Sequence, residues 1–114
     1  VILLEINGVI VVTTDTIPGY RVKEVKGLVV GASARATHFG RDLAAFLRNI
    51  AGGEVKAYVE LLNIAKEEAI KRMVQEAKAK GANAIIGFRL ASTNIASGVA
   101  ELYAYGTAVI VEKE

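Results

Sequence analysis

From Val99 to Val111 the chain alternates as a strand does, and neither phase of the alternation is polar. Leu102, Ala104, Gly106, Ala108 and Ile110 fall on one side, while Val99, Tyr103, Tyr105, Val109 and Val111 dominate the other. A strand that is apolar on both faces belongs inside a sheet and is covered twice. The small side chains of the first face suit close packing against a helix, so the second face needs another cover. The whole chain shares this surplus: 53% of its 114 residues are hydrophobic and its mean hydropathy is +0.38. A chain of this length buries roughly two thirds of its unfolded surface. Part of the apolar surface is therefore expected to meet a second subunit.

The remaining segments supply partners for that strand. Ile2 to Ile6 and Val9 to Val12 flank Asn7-Gly8, a dipeptide suited to a type I′ turn, which predicts an N-terminal strand or short hairpin. Pro18-Gly19 marks the next turn. Tyr20 to Val30 is β-prone, with Gly27 placed for a bulge. Thr37 is a candidate N-cap for a helix to about Ala51, ended by Gly52-Gly53. A second helix is predicted from Val55 to Lys80. Its buried stripe is Tyr58, Leu61, Leu62, Ala65, Ala69, Met73 and Ala77, and Glu67–Lys71, Glu68–Arg72 and Glu76–Lys80 form i,i+4 pairs. Gly81 closes it. Asn83 to Ala91 then reads as a strand with Ala84, Ile86, Phe88 and Leu90 on one face, followed by a polar turn over residues 92–98. The fold class that follows is α+β in two layers, β-α-α-β-β with an added N-terminal strand. The sheet is mainly antiparallel in the order 1-3-2, with the helices on one face. Residues 1–10 are read as an extension and 11–114 as a single domain.

Several chemistries are excluded or weakened by composition. With no Cys there is no disulfide framework, thiol nucleophile or thiolate metal site. The single His, His38, stands four residues before Asp42, and two ligands do not make a metal centre. No Gly-x-Ser-x-Gly elbow and no dinucleotide or P-loop spacing is present. Fourteen Lys and Arg against twelve Asp and Glu leave a net charge of +2, with the two signs interleaved, so no nucleic-acid footprint is expected. The opening residues lack a basic secretory leader, and no window is apolar enough to span a bilayer. The expectation is a cytoplasmic protein with no membrane partner.

Taken in order, Thr13-Thr14, Ile17-Pro18-Gly19-Tyr20, Gly27-Leu28-Val29-Val30-Gly31, Asn49-Ile50-Ala51-Gly52-Gly53, Tyr58, Gly81-Ala82-Asn83-Ala84-Ile85-Ile86-Gly87 and Tyr105-Gly106-Thr107-Ala108-Val109 closely resemble the YbjQ-like family over residues 11 to 111. The resemblance implies a dodecin-subunit-like fold assembled into a ring, typically a pentamer, in a family without an assigned activity and with a heavy-metal-binding label. The donor set here departs from that label.

Two readings of function stand side by side. One is a non-catalytic homo-oligomer that holds a small, anionic ligand where subunits meet. The candidate ligand-binding residues are Thr14, Arg35, His38, Arg41, Asp42, Arg89, Tyr105 and Thr107, with no metal site and no cofactor assigned. The other is an enzyme whose active site combines inter-subunit residues such as Asp42, Glu101, Tyr103 or Thr107.

Overall fold

A computed structural model of the chain describes residues 4–33, 55–96 and 99–114. The predicted first helix, Thr37 to Ala51, lies outside the described residues. Those described form an α+β unit in which one helix packs on a mixed, five-stranded sheet. In chain order they are β1 (Leu4–Ile6), β2 (Val9–Val11), β3 (Tyr20–Ala32), α1 (Val55–Ala79), β4 (Ala84–Ala96) and β5 (Val99–Lys113). The sheet order is β1-β2-β4-β5-β3, with β2 and β4 parallel and the other neighbouring pairs antiparallel.

The turns follow from the residues that make them. Asn7 and Gly8 both hold positive φ, 50° and 82°, as a type I′ turn between β1 and β2 requires. At Pro18-Gly19 the Tyr20 N–H donates to the Ile17 carbonyl at 3.0 Å with Gly19 at φ 81°, the geometry of a type II turn. Helix α1 ends in a Schellman motif: Gly81 has φ 80°, the Ala82 N–H donates to Ala77 and the Gly81 N–H to Lys78, each at 3.0 Å. Of the i,i+4 pairs read from the sequence, Glu68–Arg72 closes at 3.0 Å and Glu76–Lys80 at 3.7 Å.

Asn83 then ties three strands together. Its amide Nδ2 donates to the Val111 carbonyl at 2.9 Å, its Oδ1 accepts from the Val111 N–H at 2.8 Å, and its carbonyl accepts from the Ile10 N–H at 3.1 Å.

Two cores lie on opposite faces of the sheet. On the helix face Ala69, Met73, Val74 and Ala77 meet Val29, Ile85, Ala104 and Ala108. Val74 extends the stripe read from the sequence. On the outer face Val109 and Val111 pack with Ala84 and Ile17, so the segment between β2 and β3 covers that half of β5. This part of the second face finds its cover within the same chain.

The structure alters two local readings. Residues 92–96, expected in a turn, continue β4. Within β4 the register shifts between Ile86 and Arg89, where Gly87 takes φ 62°. The bulge reverses the alternation, so Phe88 packs with the helix-side core that holds Ile85 rather than sharing a face with Ile86.

Helix and sheet come closest at Gly31. A Cβ built there would overlap the Ala69 carbonyl oxygen and the Met73 backbone nitrogen. Backbone cannot swing aside as a side chain does, so Gly31→Val is expected to lose at least about 1–3 kcal/mol of unfolding free energy in urea denaturation. Exposed Lys78→Ala should stay within about 0.5 kcal/mol of wild type.

Candidate functional site

On the outer face, two bulges in β3 decide which apolar residues are exposed together. Register shifts between Val22 and Glu24 and between Val25 and Gly27 each slip the alternation by one residue. Val22, Val25, Leu28 and Val30 consequently share a face with their β5 partners Val111, Val109, Thr107 and Tyr105. This is the outer face, away from α1. Val25 and Leu28 are 63% and 62% exposed, and Tyr105 is 37% exposed. The uncovered surface is therefore the β3 side of the outer face, centred on Leu28, Val30 and Tyr105.

Polar groups border that surface. Arg89 stands opposite Tyr105, and Thr107 lies between Leu28 and Ile86. The Arg89 guanidinium donates from Nη1 to the carbonyls of Thr13, at 2.9 Å, and Phe88, at 2.8 Å. The same loop is held by the Gly87 N–H on the Thr14 carbonyl at 2.9 Å, while Thr14 Oγ1 donates to Thr16 at 2.7 Å. Further along β5, the Tyr103 hydroxyl donates to the Glu101 carboxylate, and both are partly buried. A flat apolar floor bordered by a guanidinium, hydroxyls and a carboxylate can hold a small polar molecule once a second surface closes over it.

Of the residues singled out from the sequence, the fold gathers Thr14, Arg89, Tyr105 and Thr107 around the Gly87 bulge. Arg35, His38, Arg41 and Asp42 lie outside the described residues. Sequence reasoning missed Leu28 and Val30 as the floor, although their even spacing from Val22 was an available signal, since the two slips cancel; only Val25 joins them through a bulge. It also missed Ser33, whose buried Oγ has no hydrogen-bond partner among the described residues. A separate, open groove of about 430 Å³ between the N-terminal hairpin and α1 is lined by Leu4, Ile6, Asn7, Glu67, Ile70 and Lys71.

Comparison with known proteins settles the lineage. Residues 9–112 match the YbjQ family, described as “Putative heavy-metal-binding”. The chain belongs to this family. It is 57% identical to a UPF0145 protein of Thermococcus kodakarensis over 109 residues, 96% of each chain. It is 54% identical to a UPF0145 protein of Clostridium perfringens over 103 residues, 90% of this chain and 97% of that one. A crystal structure of a protein of unknown function from Pediococcus pentosaceus, of the DUF74 family, shares the fold with a TM-score of 0.54. It has 15% sequence identity, and the match covers 93% of this chain and all of that one.

The metal in the family description needs a donor set. Soft heavy metals select thiolates and imidazoles, and this YbjQ-family chain has no Cys and a single His. Among the described residues no group of three His, Cys, Asp or Glu side chains comes together. The donors on view do not fit a heavy-metal centre. Likewise, among the described residues no helix is long and apolar enough to cross a membrane.

Arg89 links β4 to the loop beside the site through its side chain. Arg89→Ala is expected to cost roughly 0.5–1.5 kcal/mol in thermal unfolding and to speed hydrogen exchange at the Gly87 amide. Exchange at the Ile10 amide, held by Asn83, should be unchanged.

Proposed function

We propose that this YbjQ-family protein is a non-catalytic homo-oligomer, a ring of dodecin-like subunits of pentameric type, that holds a small anionic ligand where subunits meet. One observation carries the reading. The outer sheet face presents exposed Val25, Leu28 and Tyr105, and Arg89 stands opposite Tyr105 on β4. Exposed apolar area of this kind gains free energy when a second subunit covers it, at about 25 cal/mol per Å² buried. Closing that surface would remove the neighbouring guanidinium and hydroxyls from bulk water. Their attraction for an anion then strengthens, because the local dielectric falls.

Light scattering at micromolar concentration is expected to give a mass that is a multiple of 12.1 kDa. A Val25→Lys/Leu28→Lys double variant should shift the protein toward the single chain while keeping its circular dichroism. A stable wild-type monomer would overturn the assembly. The ligand is tested separately, by thermal shift and native mass spectrometry of the assembled protein with inorganic phosphate and small carboxylates. Retained or added anion mass, lost in Arg89→Ala, supports the site; no binding by any of them overturns it.

Metal is a separate arm. Zinc, copper and nickel are expected to give no saturable heat in calorimetry and the same melting temperature for wild type and His38→Ala. Stoichiometric binding abolished by His38→Ala would restore the metal reading.

A further inference from the structure

Among the described residues β3 is the last strand of the sheet, so one of its edges has no neighbouring strand there. Such an edge offers unpaired N–H and C=O groups to any passing strand, and a second copy of the same chain is the nearest source of one. On β3 the backbone groups that turn away from β5 alternate along the strand. Between residues 28 and 32, three of them are already met by side chains from α1. Lys80 Nζ donates to the Leu28 carbonyl at 3.1 Å, Glu76 Oε2 accepts from the Val30 N–H at 3.3 Å, and Arg72 Nη1 donates to the Ala32 carbonyl at 3.2 Å.

The pattern is complementary in charge and in spacing. Carbonyls receive cations and the N–H receives a carboxylate, in the order of the strand. The helix residues are four apart, about 6 Å along the axis at 1.5 Å per residue. The strand residues are two apart, about 6.6 Å. The two rows therefore stay in step over three contacts while running in opposite directions. Along the helix the row is pre-set by Glu68–Arg72 at 3.0 Å and Glu76–Lys80 at 3.7 Å. The other half of β3 carries two bulges together with Lys23 and Lys26, features that also frustrate edge pairing.

We infer that Arg72, Glu76 and Lys80 form a guard that occupies the free edge of β3 and denies it to the strand of a second copy. The charged groups are exposed, so each contact adds little stability. What the row changes is which association is open to the chain. The outer face remains available to a subunit, whereas sheet-to-sheet extension along β3 is closed at its apolar half. The inference concerns the edge and stands whether or not the outer face assembles into a ring.

The test compares Arg72→Ala/Glu76→Ala/Lys80→Ala, the single Glu76→Ala and the conservative Glu76→Gln with wild type. Alanine preserves helix propensity, and Lys78→Ala serves as the control. Light scattering across a concentration series is expected to show the triple variant's weight-average mass rising at least about two-fold above wild type, whatever the wild-type mass is. The Val30 amide should exchange faster in dilute Glu76→Ala and become protected as concentration rises. Glu76→Gln, whose side-chain carbonyl still accepts, should behave as wild type. A folded triple variant with wild-type mass at every concentration and unchanged Val30 exchange would overturn the guard. If the triple variant does not fold, the same two readouts on Glu76→Ala decide. A wild-type monomer would end the ring reading without touching this one.

Discussion

The contact on which the rest of the structure depends is backbone against backbone, where Gly31 of β3 meets α1 between Ala69 and Met73. No side chain separates strand from helix at that point. The helix consequently lies low enough for Ala69, Met73 and Ala77 to reach the small residues Ala104 and Ala108 on β5. The same closeness brings Arg72, Glu76 and Lys80 to the rim of β3, where they find Ala32, Val30 and Leu28. A larger residue at position 31 would move the helix outward and loosen both sets of contacts. Close packing and edge protection are thus two results of one glycine.

Bulges decide which surface is left over. In an unbroken strand, Val22, Val25 and Leu28 would not share a face, since positions three apart point to opposite sides. The two register shifts in β3 bring them together with Val30 on the outer face. The bulge at Gly87 acts on β4 in the same way, turning Phe88 toward the helix and leaving Arg89 beside Tyr105. The loop from Val12 to Tyr20 then covers the Val109 and Val111 half of the outer face through Ile17, which is 4% exposed. On the outer face, the apolar surface that remains lies on the β3 side. Membership in the YbjQ family agrees with a fold organised this way but supplies no chemistry for it, since the structural neighbour at 15% identity speaks only to architecture.

Much of this is legible in the sequence. Asn7-Gly8, Pro18-Gly19 and Gly81 name their own turns, because positive φ at those positions leaves few other conformations. The α1 stripe of Ala65, Ala69, Met73 and Ala77 follows from helical spacing, and the two faces of β5 from strand alternation. Of the candidate site, Thr14, Arg89, Tyr105 and Thr107 were named from the sequence. The face of Phe88 was misread, because strict alternation carries no mark of a residue inserted at Gly87. Val25 joins Leu28 and Val30 on the outer face for the same reason, through a residue inserted in β3.

The division has a physical basis. Turns, caps, the helix and the alternation of strands are decided by φ preferences and side-chain periodicity within a few residues, so the chain alone determines them. The neighbours of β3 and β5, the location of the bulges and the meeting of α1 with the β3 edge depend on contacts between residues tens of positions apart. Glu76 and Val30 are separated by 46 residues, and no local pattern in either segment refers to the other. Only the tertiary structure could bring a helical repeat of four and a strand repeat of two into register, since their match exists in space and nowhere along the chain.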